Sequence, residues 1–145
     1  ENFLMKILEF KGDFAFLSNF FERDIVFEGI KYQSSEAAYQ AQKSGKIEDL
    51  ERFSKMTASE SKKAGKVVEL REDWDKVKFQ LMHRIVTAKF RQNPDLTEKL
   101  LNTKNAYLEE GNWWNDTYWG VCKGRGLNCL GQILMDVRKN LRNQI

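Results

Sequence analysis

The sequence has almost none of the residues on which metal centres and histidine-dependent catalysis rely. Its 145 residues contain one histidine, His83, and two cysteines, Cys122 and Cys129. The cysteines are seven positions apart with no third ligand near them, so they do not match a zinc site. The shortage of histidine also argues against a nucleophilic triad, which needs a histidine as its base. We therefore expect no metal and no cofactor, and we expect His83 to lie on a helix, at the surface or partly buried.

Long apolar runs, disulfide patterns and phosphate-binding loops are also missing. No apolar run approaches the roughly 18 residues of a membrane helix, and no signal-peptide pattern opens the printed sequence, so no membrane partner is expected. Two cysteines do not make a disulfide framework, which favours a reducing cytoplasm. No GxxxxGK[ST] motif is present, and Gly124-Arg125-Gly126 is too short for a dinucleotide fingerprint. The net charge of +3 permits a phosphate-bearing ligand without indicating a nucleic-acid coat protein.

The remaining composition is that of one globular domain. Apolar content is 41%, and no linker or low-complexity tract interrupts the chain. We predict a single domain over residues 5–142. The run that begins at Met5 is typical of a natural start, so we interpret residues 1–4 as a cloning remnant.

Periodicity and capping signals predict a helix-dominated α+β fold with few short strands. Helices are expected over 47–53, from the Thr57 capping box to Gly65, from Asp73 to 92, from Pro94 onward and over 128–141. Strands are expected over 6–10, 25–27 and 106–110, with a turn at 28–29 and an aromatic-rich loop over 12–21. The buried stripes should comprise Trp74, Val77, Leu81, Ile85 and Ala88, then Leu96, Leu100 and Leu101, and finally Leu130, Ile133, Leu134, Val137 and Leu141.

The stretch from Tyr32 to Lys43 predicts a short helix with its polar groups on one face. Ser34 or Ser35 is the expected N-cap. Glu36 and Lys43 are two turns apart, about 20° in azimuth and about 10.5 Å in rise, so a regular helix would place them on one face. Alanine at 37, 38 and 41 leaves little bulk on the other faces. The pattern fits the wall of a site packed into a core, and it equally fits a solvated face with an ordinary Glu/Lys pair.

The segment from Glu109 to Gly120 is the second informative region. It contains three carboxylates, two amides and three of the four tryptophans. Aromatic faces stack on bases or sugars, and carboxylates bind ribose hydroxyls or act as acid and base. The alternative is that Trp113, Trp114 and Trp119 are core anchors and that the acids are turn residues. The clustering favours a functional segment.

A basic cluster precedes Trp74. It comprises Lys62, Lys63, Lys66 and Arg71 and lies near the expected helix end. Basic side chains at such a position can hold a phosphate group. The alternative is a solvated charged face.

Taken together and in this order, these segments resemble the NADAR family, also called the YbiA-like family. The resemblance covers residues 5–142 and rests on nine motifs in register. They are 17–20, 35–43, 64–66, 70–74, Met82, 88–90, 110–112, 116–120 and 126–135 with Arg138. Membership implies a helix-rich α+β fold and an N-glycosidase that uses no metal.

Two substrate classes follow from the resemblance. One comprises the phosphoribosylated amino-pyrimidine intermediates of riboflavin biosynthesis. The other is ADP-ribose attached to guanine, including modified guanine in nucleic acid. Both reactions break a C1′–N bond on a phosphorylated ribose, and no motif indicates an oligomeric state.

The resemblance also assigns residues. It places the catalytic carboxylate at Glu36, with Trp74 and Asp116 also in the site. The other matching positions are Lys43, Asn19, Glu110, Trp119 and Asn128. Many members have arginine where this chain has Lys66, so the bidentate fork for a phosphate is lost there, and Arg71 is the remaining guanidinium nearby.

The division of roles stays open at this point. Glu36 would stabilise an oxocarbenium-like C1′ or activate water, while Asp116 would hold ribose hydroxyls or protonate the leaving nitrogen. Trp74 or Trp119 would stack on the base. In the other route a neutral Lys43 attacks C1′ and passes through a Schiff base, which burial would favour by lowering the lysine pKa. Retention of both Glu36 and Lys43 favours an enzyme over a non-catalytic ADP-ribose or nucleic-acid binding module and over a structural interaction domain.

Overall fold

The structure is a computed structural model that describes residues 5–144. The residues interpreted as a cloning remnant, 1–4, lie outside the described part. The described chain falls into two compact units, one formed by residues 19–92 and the other by residues 5–18 with 93–144. The single domain over 5–142 stays a prediction. The mixture of many helical residues with a few short strands confirms the α+β, helix-dominated class.

A β-hairpin opens the unit of residues 19–92. Strand β1 (Lys6–Ile7) belongs to the other unit. The hairpin comprises β2 (Glu22–Phe27) and β3 (Ile30–Ser34), which pair antiparallel with Phe27 opposite Ile30. Glu28 and Gly29 both have positive φ, 50° and 85°, as a type I′ turn requires. The predicted turn is therefore confirmed, but it leads into a strand before the first helix.

Helix α1 (Ser35–Ala41) is shorter than the sequence predicts. Residues 32–34 belong to β3, because Tyr32 pairs with Ile25 and is buried in the hairpin. Ser34 is the N-cap, and its hydroxyl accepts a hydrogen bond from the Ala37 N–H at 3.1 Å. The helix ends before Lys43, whose N–H bonds the Gln40 carbonyl in a tighter turn. The expectation that Glu36 and Lys43 share one helix is thus wrong.

The other helices of this unit begin and end close to their predicted positions. They are α2 (Ile47–Phe53), α3 (Ala58–Gly65) and α4 (Trp74–Gln92). Thr57 and Glu60 form the predicted capping box of α3. In α4, Trp74, Leu81 and Ile85 are buried as expected, but Val77 and Ala88 are only half-buried. The buried face of α4 instead includes Met82, Val86, Lys89 and Phe90.

The second unit combines two helices with short parallel strand pairs. Strand β1 (Lys6–Ile7) pairs with β4 (Tyr107–Leu108), and β5 (Gly111–Asn112) pairs with β6 (Val121–Cys122). Its helices are α5 (Pro94–Leu101) and α6 (Cys129–Arg142). The five leucine, isoleucine and valine residues predicted for the inner face of α6 are all buried, as are Leu96 and Leu100, whereas Leu101 is half-buried.

Two predictions about loops are corrected in this unit. Residues 12–17 of the predicted aromatic loop form a 3-10 helix (Gly12–Leu17), because Phe16 and Leu17 turn inward to the core. The Gly- and Trp-rich loop after β4 contains β5 and β6. Each of these strands has two residues, too few for an alternating pattern to be visible in the sequence.

Candidate active site

Helix α1 places an acid in the core of its unit. All seven residues of α1 are buried, and Glu36 is 8% exposed. The alternative of a solvated helix face is therefore wrong. Asn19 holds the start of the helix, because its carbonyl oxygen accepts the Glu36 N–H at 3.0 Å and its Oδ1 accepts the Ser35 hydroxyl at 2.9 Å.

Gln40 orients the Glu36 carboxylate. Gln40 Nε2 donates a hydrogen bond of 2.7 Å to Glu36 Oε2, one turn back along the helix. The other amide atom, Gln40 Oε1, is buried and has no hydrogen-bond partner among the described residues. It points at Gly65, where a Cβ atom would overlap it. Gly65 is therefore required for the close approach of α3 to this amide.

Lys43 remains close to the acid although it lies beyond the helix. Its Nζ donates to the Gly65 carbonyl oxygen at 3.2 Å. Burial lowers the pKa of Lys43, the charge of Glu36 opposes that shift, and the charge of Lys78 adds to it. The net direction is downward because loss of hydration outweighs the attraction to the carboxylate. The amine is therefore closer to its neutral form than an exposed lysine would be.

Trp74, at the start of α4, contributes an aromatic wall to the same unit. It is buried, and its ring lies 5.3 Å from that of Tyr39 at 47°. Tyr39 follows Glu36 by three positions, which places both on neighbouring faces of α1. Four predicted site residues thus lie on α1 or in segments next to it: Asn19, Glu36, Lys43 and Trp74.

The two predicted phosphate ligands of this unit differ in their surroundings. The Arg71 guanidinium binds Asp73, with Nε to Oδ1 at 2.6 Å and Nη2 to Oδ2 at 3.2 Å. This contact raises the pKa of Arg71 and lowers that of Asp73. The Arg71 N–H also donates to the Lys43 carbonyl oxygen at 2.7 Å. Lys66 is exposed at the C-cap of α3, so its ammonium group is solvated.

Asp116, in the other unit, closes a tight turn. Its Oδ1 accepts the N–H groups of Tyr118 at 3.1 Å and Trp119 at 2.8 Å. Asn112 binds the Asp116 backbone twice, through its Oδ1 and its Nδ2. These bonds hold the loop between β5 and β6 in one conformation, with the Asp116 side chain half-exposed.

Asn128 joins the same loop to the core of its unit. Its Oδ1 accepts the Glu110 N–H at 3.0 Å, and its Nδ2 donates to the Leu108 carbonyl oxygen at 2.9 Å. The residue has a left-handed φ of 55° and is buried just before α6. The Glu110 carboxylate lies 3.3 Å from Asn112 Nδ2. The structure thus brings Glu110, Asp116 and Asn128 into one hydrogen-bonded segment.

The tryptophans of this segment have different environments. Trp119 is half-buried and meets Tyr118 edge to face at 4.7 Å. Trp113 and Trp114 are 78% and 42% exposed. The alternative that these three are core anchors is therefore wrong for Trp113 and Trp114.

Two notable residues carry no predicted role. One is Gln40, although its i+4 spacing from Glu36 is that of a hydrogen-bonding pair. Lys89 is 1% exposed on α4, with Nζ above the rings of Phe21 and Phe90 at 5.7 and 5.3 Å. Its position four residues after Ile85, within an apolar stripe, was a signal that could have found it. Burial lowers the pKa of Lys89 to about 7, and the charge of Arg23 acts in the same direction.

Comparison with known proteins defines the class. The chain is 36% identical over 133 residues to N-glycosidase YbiA of Shigella flexneri, covering 89% of this chain and 82% of the relative. The solution structure of Escherichia coli YbiA superposes with a TM-score of 0.87 at 31% identity, covering 99% of this chain and 89% of that one. This chain is a hydrolase acting on N-glycosyl bonds.

Within that class, the chain belongs to the NADAR domain family, whose model matches residues 9–142. The resemblance inferred from the nine motifs is therefore confirmed. A riboflavin biosynthesis protein of Vibrio vulnificus is 36% identical over 137 residues, which cover 88% of this chain and 36% of that longer protein. None of the described helices is both long and apolar enough to cross a membrane.

Proposed function

We propose that this protein hydrolyses the C1′–N bond of a base attached to a phosphorylated ribose, with Glu36 as its catalytic carboxylate. The observation that carries the proposal is the buried Glu36 carboxylate, which Gln40 orients beside an amine of lowered pKa. The names of its relatives, an N-glycosidase and a riboflavin biosynthesis protein, support a glycosylated base as the substrate.

Free thiols at both cysteines fit a reducing cytoplasm.

In the first route Glu36 acts on water. As the C1′–N bond breaks, its electron pair leaves with the base and C1′ becomes cationic. A water oxygen bonds to C1′, and Glu36 takes a proton from that water. The base nitrogen gains a proton from solvent, and Glu36 then releases its proton to solvent. A carboxylate held close to C1′ stabilises the positive charge in the transition state.

In the second route Lys43 acts as a nucleophile. Its neutral Nζ bonds to C1′ while the C1′–N bond breaks, and the base leaves with the electron pair and gains a proton from solvent. A proton then moves from Nζ to the ring oxygen as the ribose ring opens, which gives a protonated imine. Water then adds to the imine and releases the amine. The lowered pKa of Lys43 supports this route, because only the unprotonated amine is nucleophilic.

Borohydride separates the two routes. If Lys43 forms an imine, reduction during turnover should add the ribosyl mass to one peptide that contains Lys43. Lys76→Arg, on the exposed face of α4, is the control and should still trap. Turnover without an adduct would exclude the Schiff base and leave the Glu36 route.

Asp116 belongs to the other unit, and its role is a separate proposal. With Oδ1 committed to two backbone N–H groups, we assign the rest of the carboxylate to ribose hydroxyls or to the leaving nitrogen. Asp116→Asn keeps the acceptor and removes the charge. It should lower turnover while the melting temperature changes little, and unchanged turnover would remove Asp116 from the reaction.

The substrate class is tested by direct cleavage. The purified protein is incubated with a phosphoribosylated amino-pyrimidine or with ADP-ribosyl-guanosine, and ribose 5-phosphate or ADP-ribose is measured. We expect release from at least one, and release slower by about 10²- to 10⁴-fold with Glu36→Gln. Tight binding of either compound without release would support a binding module and contradict the proposal.

A further inference from the structure

An exposed aromatic ring lies beside the buried Glu36. Phe20 directly follows Asn19, whose carbonyl oxygen accepts the Glu36 N–H at 3.0 Å, and the Phe20 side chain is 40% exposed. The Glu36 side chain leans toward this end of α1, because the Cα–Cβ bonds of a helix tilt toward its N-terminus. Phe20 is therefore one peptide group away from the backbone that carries the carboxylate.

Contacts with α3 show where this ring lies along α1. Helix α3 lies beside α1, and the Lys62 Nζ is 5.4 Å from the centre of the Phe20 ring. About one turn later along α3, the Gly65 carbonyl oxygen binds the Lys43 Nζ beyond the other end of α1. Glu36, in the first turn of α1, thus has Phe20 toward one side and Lys43 toward the other.

Stacking on a base requires a ring that a ligand can reach. Among the aromatic residues of 19–92, only Phe20 and Phe79 are exposed, at 40% and 36%. Trp74, which the sequence predicts as a stacking residue, is 6% exposed, and its ring packs against another aromatic side chain. Of the two exposed rings, that of Phe20 is the one attached to the segment that binds Glu36.

We propose that the Phe20 ring stacks on the base of the substrate while C1′ lies at Glu36. The inference rests on the proposed function and names the residue that holds its leaving base. A flat ring that is partly in water gains by stacking on a base, since every base has a face that can stack. Lys62 is a positioning residue in this arrangement, because an ammonium group over a ring is attracted to its face and restrains its orientation.

The test is calorimetric binding of guanosine 5′-monophosphate, uridine 5′-monophosphate and ribose 5-phosphate, in the Glu36→Gln background so that cleavage of a probe is slow. Only the nucleotides contain a base, so the ratio of affinities measures the base alone. We expect at least one nucleotide to bind more tightly than ribose 5-phosphate, and the preferred nucleotide shows whether a purine or a pyrimidine is held. Phe20→Ala should weaken that nucleotide roughly 5- to 150-fold and leave ribose 5-phosphate within about twofold.

Further variants separate the ring from its surroundings. Phe20→Tyr keeps the aromatic face and should retain most of the affinity, whereas Phe20→Leu keeps the bulk and should lose affinity as Phe20→Ala does. Phe79→Ala removes a similarly exposed ring on α4 and should change nothing. Lys62→Met keeps the apolar stem without the charge. It should weaken the nucleotide roughly 2- to 5-fold, with no further loss in the Phe20→Ala background.

Other results would overturn the proposal. Nucleotides that bind no more tightly than ribose 5-phosphate would exclude a base subsite. Full nucleotide affinity in Phe20→Ala, or an equal loss in Phe79→Ala, would show that Phe20 does not hold the base. A loss of ribose 5-phosphate affinity in Lys62→Met would assign Lys62 to the phosphate instead. Because binding in this background requires no cleavage, failure of this proposal and failure of the glycosidase proposal give different results.

Discussion

The two units use the same kinds of polar residue in opposite ways. In residues 19–92, Glu36 and Gln40 bind each other in the core, and Gln40 Oε1 has no partner among the described residues. In the other unit, Asp116 and Asn128 direct their polar atoms to backbone groups. Side chains that bind backbone groups fix a shape, whereas a buried carboxylate oriented by a neighbouring amide side chain can also act in chemistry. The contrast predicts mainly a loss of activity from changes at Glu36 and mainly a loss of stability from changes at Asn128.

The largest expected effect is that of Glu36→Gln on turnover. The amide keeps the size of the side chain and an oxygen for the Gln40 Nε2–H, but it carries no charge. We expect kcat to fall by about 10²- to 10⁴-fold with an unchanged melting temperature. Glu48→Gln, on the exposed part of α2, is the matched control. Turnover close to that of the wild type would show that Glu36 is not the catalytic group.

Asn128→Ala should mainly reduce stability. It removes the acceptor of the Glu110 N–H and the donor to the Leu108 carbonyl oxygen, and it places alanine at a left-handed φ. Urea denaturation should show a loss of about 1–3 kcal/mol. Asn140→Ala, exposed on α6, should lose nothing. A raised KM with unchanged stability would instead make Asn128 a direct substrate ligand and break the contrast.

Gly65→Ala tests whether Gln40 positions the Glu36 carboxylate. The new Cβ overlaps Gln40 Oε1, so the amide must move away from the carboxylate. We expect kcat to fall by about tenfold, together with about 1–3 kcal/mol of stability, as is usual for overpacking. Adding Gln40→Ala should restore stability without restoring kcat. Recovery of both would show that Gln40 has no positioning role.

The smallest expected effect concerns Lys89. Its pKa is lowered in the folded state to about 7, so between pH 7 and about pH 10 the unfolded chain binds a proton that the folded chain does not. Stability from this group therefore rises with pH across that range. Lys89→Met should raise the melting temperature at pH 7, and the gain should shrink toward pH 10. Lys76→Met is the exposed control, and a gain that does not vary with pH would contradict the shift.

Local signals predicted the helices well and the strand pairs poorly. The start of α3 follows from the Thr57 capping box, which acts within a few residues, and the helix ends at Gly65 as predicted. Strand β3 was missed because its pattern runs directly into the Ser34 cap of α1. The parallel pair of β5 with β6 depends on the intervening loop, whose shape comes from Asp116.

The candidate site was predicted partly on a wrong premise. Glu36 and Lys43 were expected together because a regular helix would align them, but the helix ends at Ala41. Their charges still interact, because the turn after the helix and the Gly65 carbonyl hold Lys43 nearby. The orientation of Gln40 depends on Gly65, which is remote in sequence. No pattern within α1 indicates the contact between Gln40 and Gly65.

The distribution of tryptophan gives this protein an internal set of optical probes. Trp74 is the only tryptophan of residues 19–92, and the other three belong to the second unit. Trp74 is buried and should emit at short wavelength, whereas Trp113, mostly in water, should emit at long wavelength. Denaturation followed at the two wavelengths would therefore report on each unit without any label. Coincident curves would mean that the chain unfolds as one cooperative body, and separate curves would mean that the halves melt independently.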